Sequence, residues 1–362
     1  MKPASTRLPG AIFAVAGLSL AANAAAQAPT FESILEGARQ EGRVVAVVSS
    51  PGKPESHAML AEAFNKRFGL DLVVEWIPNS SVQTNTRLIA EKDRTEGSID
   101  IVGSGGPVEV STVLNEDIIK PRPWAEVFGE ELPAIGGIVD SAMESIRGAA
   151  LAIGDAAYGL AYNPNLVGED ELPGTYEELT NSEWKGRFAV NALGLYPIEY
   201  YSFVIGRDAT LDFARRVLDN SPVLERGTAA ATRAVEVGRA PVGISSFHQV
   251  ARVDGLEFRL FDDYVPLTTL YIYVPESAPH PNAARLFSAR LAAEGMSLLD
   301  ANEALPRILD ERTDLNAMYK AQQEATGVKI LTETSIEDIA NGKEIRDTIS
   351  LDDDAVIRVR RA

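Results

Sequence analysis

The stretch RVVAVV, residues 43–48, decides how this chain folds. It is short, apolar and rich in valine, which is typical of a strand buried inside a sheet. Before it, apolar residues recur at helical spacing from Phe31 to Ala38, with Thr30 placed to cap the helix and Gly42 placed to end it. The stretch is therefore predicted to be a core strand that follows an amphipathic helix.

The same alternation continues along the chain. A helix that includes Met59 and Phe64 and ends at Gly69 leads to a second strand, LDLVVEW at residues 70–76. Another helix, which includes residues 86–94, leads to a third strand, IDIVG at residues 99–103. Strands separated by helices of this length predict parallel β-α-β units, with helices on both faces of one sheet.

A second α/β unit is predicted from Leu151 onward. Its elements alternate in the same way: extended chain at 151–164, a short helix at 175–180, a strand at 187–191, helices at 197–206 and 211–218, a strand at 241–246, a strand at 265–277 and an alanine-rich helix at 281–295. Without a predicted signal peptide at the N-terminus, described next, roughly 335 residues remain. A chain of that length usually folds around more than one hydrophobic core, so two domains are expected.

The first residues are predicted to be a secretory signal peptide, residues 1–26. Lys2 and Arg7 precede an apolar run at 11–22 that is too short for a stable membrane anchor, and Ala24 or Ala26 offers a cleavage site. The chain has no cysteine, which excludes disulfides and thiolate metal sites. This combination favours a soluble protein of the bacterial periplasm.

The net charge argues against two classes of partner. The formal charge is −18 at pH 7, which disfavours nucleic acid and anionic lipid. A binding pocket can still be locally positive in a protein of negative net charge. Lys53 and Arg233 are candidates for a positive charge in such a pocket, and the alternative for both is an exposed position on the solvated surface.

Polar residues follow the first three strands. Ser49 and Ser50 follow the first, Asn79 to Ser81 follow the second, and Ser104 and Gly105 follow the third. Hydroxyls and free N–H groups at helix starts can hold an anion or a carbonyl, and ligands of such sheets lie beyond the carboxyl ends of the strands. Ordinary helix capping is the alternative for any single serine.

The stretch GISSFHQV, residues 243–250, brings Ser245, Ser246 and His248 together. These residues can cut a substrate, bind a solute or cap a helix. A hydrolase is disfavoured because GISSF lacks the second glycine of a nucleophile elbow. His57 and His280 have no metal-ligand partners at helical or hairpin spacing. We therefore expect binding, with no enzymatic activity, no cofactor and no resident metal.

Several segments resemble the periplasmic solute-binding proteins of ABC importers, especially the branch grouped with ferric-iron binders. They are ILEGARQEGRVVAVVSS (34–50), AFNKRFG (63–69), AYGLAYNPNLV (157–167), TYEELTNSEWKGRFAV (175–190) and VPESAPHPNAARLFSARLAAEGM (274–296). The resemblance covers most of the chain from Phe31 to Met296 and occurs in the family's order.

The resemblance implies an α/β fold of two lobes, type II-like, each a mostly parallel sheet flanked by helices and joined by two crossover strands. Lobe one would hold residues 27–150 and 272–316, lobe two would hold residues 155–266 and 317–362, and the hinges would lie near 151–155 and 267–271. The lobes would trap a small-molecule solute and deliver it to a membrane permease and its ATPase, with the protein a monomer. The site would combine both lobes, with Tyr158 and Tyr200 added to the serines, Gly105 and His248.

The nature of the solute follows from one departure. Ferric-binding relatives have an adjacent tyrosine pair where this chain has Ser245 and Ser246, and serine hydroxyls ionise too reluctantly to replace phenolates. Tyr200 and Tyr201 are adjacent but point about 100° apart on a helix, so one is expected in the core and the other at the surface or cleft. An oxygen-rich or anionic solute is therefore expected, with iron, a sensory role and a hydrolase as alternatives.

Overall fold

A computed structural model describes residues 29–48, 53–94, 97–299, 305–309, 311 and 313–349. The predicted signal peptide and the predicted site residues Ser49 and Ser50 lie outside this range. The strands form one mixed ten-stranded sheet in the order β2-β1-β3-β9-β4-β7-β5-β6, with β10 paired to β9 and β8 paired to β4. No helix in this range is long and apolar enough to cross a membrane.

The elements have the following bounds. The strands are β1 Arg43–Val47, β2 Val73–Ile77, β3 Ile101–Gly105, β4 Leu151–Tyr162, β5 Phe188–Asn191, β6 Val223–Glu225, β7 Val242–Ser246, β8 Glu257–Arg259, β9 Tyr264–Tyr273 and β10 Lys329–Leu331. The α-helices are α1 Phe31–Glu41, α2 Pro54–Phe68, α3 Ser81–Ala90, α4 Pro107–Asn115, α5 Trp124–Phe128, α6 Ala134–Asp140, α7 Ser202–Ile205, α8 Arg207–Asp219, α9 Thr228–Glu236, α10 Phe247–Val250, α11 Pro281–Arg290, α12 Asp314–Thr326 and α13 Ile336–Ile349.

The first part of the sheet follows the sequence prediction closely. The Thr30 side chain accepts a hydrogen bond from the Ser33 backbone and caps α1, while Gly42 ends the helix in a left-handed conformation. β1 pairs in parallel with β2 and β3. The β-α-β prediction is confirmed, although α3 ends at Ala90 rather than continuing to residue 94.

Two long strands link the halves of the sheet. β4 and β9 pair antiparallel from Leu151 opposite Ile272 to Ala157 opposite Leu267, and we call this paired stretch the crossover ribbon. A Cβ atom at Gly154 would lie 2.1 Å from the Leu305 carbonyl oxygen, so only glycine fits at this point of the ribbon. The two crossover strands join what we call lobe one, containing β1 to β3, and lobe two, containing β5 to β7.

Each lobe has its own apolar core. The lobe-one core runs from Ile34 to Ala156 and resumes at Leu270, while the lobe-two core runs from Leu160 to Phe261 and takes in Ile345 and Ile349. The Tyr158 backbone pairs with β7 of lobe two, and its ring packs against the lobe-one core. The two-lobed α/β fold is therefore confirmed. The residue boundaries of the lobes stay a prediction.

The last helix, α13, packs on lobe two and also approaches lobe one. Ile345 and Ile349 belong to the lobe-two core. Close docking requires glycine at Gly194, because a Cβ atom there would lie 2.8 Å from the Arg346 Cα. On its other side α13 contacts α4 of lobe one. The helix therefore bridges the two lobes.

A buried carboxylate anchors α11 to the lobe-one sheet. Asp100 is fully buried, and its Oδ2 accepts a hydrogen bond from the Val45 backbone at 2.8 Å. Its Oδ1 accepts from the His280 backbone at 2.7 Å, and its Oδ2 lies 2.9 Å from His280 Nδ1. Asp100 thus ties β1 to the start of α11.

Candidate functional site

A cavity of about 570 Å³ lies between the lobes, and we call it the cleft cavity. Its walls come from α3, the end of β3 and α4 on lobe one, from β4, the end of β5 and the loop after it on lobe two, from the crossover ribbon, and from α13. The lining residues are Ser81, Val82, Asn85, Thr86, Ile89, Ser104, Gly106, Val108, Glu109, Thr112, Tyr158, Asn191, Leu193, Tyr196, Thr268, Leu270, Lys343, Arg346 and Asp347.

The lobe-one wall is built on two helix N-termini. Ser81 is the first residue of α3, and Gly106 directly precedes α4, so both helix dipoles direct partial positive charge toward the cavity. The negative charge of Glu109 partly offsets the positive potential at the α4 N-terminus, since its Oε2 accepts a hydrogen bond from Gly106 N at 3.0 Å. The Ser104 Oγ is buried without a hydrogen-bond partner, and Ser104 has a positive φ of 63°. A buried hydroxyl without a partner on a cavity wall is suited to a ligand.

The lobe-two wall is aromatic and polar. The rings of Tyr158 and Tyr196 meet edge to face with centroids 5.0 Å apart. Burial raises the pKa of both phenols, so both hydroxyls are neutral hydrogen-bonding groups at physiological pH. Asn191 ends β5, and its Oδ1 accepts hydrogen bonds from Leu193 N at 2.9 Å and Gly227 N at 3.0 Å. These two bonds fix the orientation of the Asn191 side chain.

Arg346 supplies a positive charge from α13. Its Nε lies 3.2 Å from Glu199 Oε1, and its guanidinium lies over the Tyr196 ring, 5.4 Å from the centroid. Among the described residues, no hydrogen bond satisfies either Nη atom of Arg346. Lys343 also lines the cavity but pairs with Asp347 one helical turn later. Arg346 is therefore the cation most available to a ligand.

Two acidic side chains lie behind Arg346 and Tyr196. Glu199 and Glu333 are largely shielded from solvent, and burial raises the pKa of both carboxyl groups, against the opposing charge of Arg346. Tyr200 donates a hydrogen bond to Glu333 Oε1 at 2.7 Å. The other oxygen of each carboxyl group is buried without a partner. The network holds Arg346 in place without filling the cavity.

The structure brings only some of the predicted site residues together. Ser104 and Tyr158 line the cleft cavity from opposite lobes. Gly105 lies between Ser104 and Gly106 but does not line the cavity. Lys53 and Arg233 are exposed and do not line it either.

Three further predicted site residues, Ser245, Ser246 and His248, are buried and do not line the cleft cavity. Ser245 Oγ hydrogen-bonds Thr232 Oγ1 at 2.6 Å, and Ser246 Oγ is buried without a partner. His248 is also buried, and its Nε2 lies 3.2 Å from Gln249 Nε2. A contact between these three residues and solute stays a prediction.

The tyrosine pair differs from the expectation. Tyr200 and Tyr201 are both buried, although the sequence predicted one of them at the surface or cleft. The reason is that lobe-two aromatic rings surround Tyr201, while Tyr200 faces Glu333 and packs edge to face on Tyr196.

His248 is expected to make the stability of the protein depend on pH. Burial, with a smaller effect of the Arg252 charge, lowers the pKa of His248 to about 3. Between pH 6.5 and 3 the unfolded chain binds a proton that the folded chain does not bind, so the free energy of unfolding falls as pH falls, by up to roughly 1.4 kcal/mol per pH unit. This contribution is fully present above pH 6.5.

The measurement is urea unfolding of wild type and His248→Gln from pH 7 to pH 5. The advantage of wild type over the variant is expected to shrink by about 1.6 kcal/mol between pH 6.5 and 5. Parallel stability curves for the two proteins would contradict a neutral, buried His248.

Sequence reasoning missed several wall residues. Asn191 carried a usable signal, because it ends a predicted strand in the same way as Ser104. Arg346 carried none, because its partner Glu199 is distant in sequence and α13 contains other charged residues. In the described part of the chain, no group of three or more histidine, aspartate and glutamate side chains is arranged to hold a metal ion.

Comparison with known proteins identifies the family of this chain. The model of the family described as bacterial extracellular solute-binding protein matches residues 51–295. Among curated protein sequences, none matches this chain.

Solved structures share the fold at low sequence identity. Iron-bound HitA from Pseudomonas aeruginosa has a TM-score of 0.62 at 14% identity, covering 85% of this chain and 99% of that one. AfuA from Actinobacillus pleuropneumoniae, with fructose-6-phosphate bound, has a TM-score of 0.63 at 17% identity, covering 89% and 99%. The spermidine/putrescine ABC transporter substrate-binding protein PotD from Streptococcus pneumoniae has a TM-score of 0.58 at 15% identity, covering 85% and 98%.

Proposed function

Because the chain belongs to the bacterial extracellular solute-binding protein family, we propose that it is the periplasmic solute-binding component of an ABC uptake system. It traps a small anionic, oxygen-rich solute between its lobes and delivers it to a membrane permease driven by an ATPase. It acts as a monomer after removal of residues 1–26, and it binds its solute without converting it. Similar folds hold an iron ion in one protein and fructose-6-phosphate in another, so the solute has to be inferred from the residues of this chain.

One observation carries the proposal: the cleft cavity has walls from both lobes. A solute that contacts Ser81 and Ser104 on one side and Tyr158 and Asn191 on the other stabilises the closed arrangement only when both sides touch it. The hinge lies in the crossover ribbon, at 151–155 and 267–271, because a few extended residues can absorb the rotation of one lobe against the other.

The charges of the wall favour an anion. Lys343 and Asp347 neutralise each other, and Glu109 is engaged with the α4 N-terminus. Arg346 keeps donor groups available, and its planar fork matches a carboxylate or phosphate group. The α3 N-terminus adds to the same positive field.

The test combines identification of the solute with a measurement of closure. Native mass spectrometry of the protein purified without heating is expected to show a bound anion, and calorimetry with citrate, inorganic phosphate, fructose 6-phosphate and spermidine is expected to favour the anions. Small-angle scattering should show a smaller radius of gyration when that solute is added to stripped protein. A scattering profile unchanged by a solute that demonstrably binds would contradict the hinged trap.

Ferric ion is the second candidate, and a tyrosine cluster favours it. The Tyr196 and Tyr200 hydroxyls lie 3.4 Å apart, and Tyr158 packs on Tyr196. Burial raises the pKa of all three phenols, so an iron ion would have to offset the loss of their protons. A visible charge-transfer colour that bleaches on reduction would establish iron and displace the organic anion.

A further inference from the structure

A second cavity of about 300 Å³ lies in lobe one and shares no lining residue with the cleft cavity. Three of its lining residues are cationic, Lys120, Arg122 and Arg285, and we call it the arginine cavity. The only acidic residue in its lining is Glu276. This local excess of positive charge stands out in a chain with a formal net charge of −18.

Arg122 and Arg285 differ in their hydrogen bonds and ion pairs. Arg122 pairs with Glu276, and its Nη2 also donates to the Val274 carbonyl at 3.4 Å. Arg285 forms no hydrogen bond or ion pair with any residue in the described ranges, and its Nε is buried without a partner. A buried guanidinium N–H without an acceptor lowers the stability of the folded protein, and a bound anion would supply that acceptor.

The like charges of Arg122 and Arg285 also repel each other, which adds to the free-energy cost of burying both groups. Burial, followed by the nearby Arg285 charge, lowers the pKa of Arg122, with Glu276 opposing the shift. Glu276 therefore neutralises only one of two neighbouring guanidinium groups. An anion bound beside Arg285 would relieve the repulsion and supply the missing acceptor.

The rest of the wall is apolar. Trp124 and Phe128 line the cavity, and their rings are held in place because Trp124 stacks on Phe128 and donates its indole N–H to the Gly148 carbonyl at 2.7 Å. A volume of about 300 Å³ corresponds to about ten water molecules at ~30 Å³ each, or a ligand on the order of ten heavy atoms.

We propose that the arginine cavity is a second binding site, which takes the carboxylate of a small organic acid with an apolar body. The carboxylate would pair with the fork of Arg285, and the apolar body would cover Trp124 and Phe128. This inference is independent of the solute proposed for the cleft cavity.

Phenylacetate is the probe, and the neutral phenylacetamide is its matched control of the same shape. Calorimetry and tryptophan fluorescence are expected to show saturable binding of phenylacetate and none of phenylacetamide. Arg285→Met should weaken phenylacetate binding at least tenfold, and Lys120→Met, at an exposed position, should weaken it severalfold. Arg346→Met, which alters only the cleft cavity, should leave it unchanged.

The outcomes separate this proposal from the first one. Equal phenylacetate affinity in wild type and Arg285→Met, equal binding of the amide, or no binding of phenylacetate at all would overturn the second site. Loss of phenylacetate binding in Arg346→Met would move the probe to the cleft cavity and also overturn it. If Arg285→Met folds poorly, Lys120→Met decides in its place, and unchanged affinity in that variant would count against the site.

Discussion

Replacement of Arg346 by methionine is expected to weaken binding of the anionic solute by at least about 30-fold, because truncating one partner of a desolvated charge pair costs roughly 2–5 kcal/mol. The variant removes the guanidinium that lines the cleft cavity while it keeps an unbranched apolar stem. Calorimetry with the solute found in the native protein measures the change. Arg346→Lys should lose about tenfold, because it keeps the charge but loses the fork.

Two controls separate binding from folding. Arg207→Met removes an exposed arginine of α8 that pairs with Glu344, a residue on the same helix as Arg346. This variant should leave the affinity for the solute unchanged. Arg346→Met combined with Glu199→Gln removes the buried carboxylate that would otherwise lose its partner, so this double variant should fold and still fail to bind. Wild-type affinity in Arg346→Met would place the anionic group elsewhere.

Replacement of Asp100 by alanine is expected to lower the free energy of unfolding by about 3–4 kcal/mol. The loss follows because three charge-assisted contacts disappear together, those to Val45 N, His280 N and His280 Nδ1. The Val45 N–H would stay buried without an acceptor. Urea unfolding at neutral pH measures the change.

Asp71→Ala is the matched control, since Asp71 is exposed and should contribute less than about 0.5 kcal/mol. Asp100→Asn should lose a smaller amount, because the amide oxygen can still accept one of the bonds. If Asp100→Ala and Asp71→Ala unfolded at the same urea concentration, the anchoring of α11 would have another cause.

Local signals made most of the fold predictable. Thr30 and Gly42 bound the first helix because capping depends on neighbouring residues, and the valines of residues 43–48 pack in a core where strong alternation is not needed. The end of α3 at Ala90 was missed because Glu91, Lys92 and Arg94 have good intrinsic helix propensity, and propensity alone does not fix the end of a helix.

The cleft was less predictable, because its walls come from segments far apart in sequence. Ser104 was found from its place at the end of a strand, and Tyr158 from the resemblance to the solute-binding proteins, which implies a site shared by both lobes. Arg346 reaches the cavity only because α13 docks against Gly194 and Glu199, and no local pattern encodes such a contact. Ser245 and Ser246 share a strand with apolar residues, and burial of that strand carries both of them into the interior.

The crossover ribbon also constrains how the molecule can move. Since β4 and β9 are hydrogen-bonded side by side between the lobes, the two strands have to bend together, and we expect the lobes to rotate mainly about one axis. One interlobe distance is then expected to report most of the closure. Because the chain has no cysteine, a single pair of introduced thiols would carry the spectroscopic labels for that distance with no background labelling.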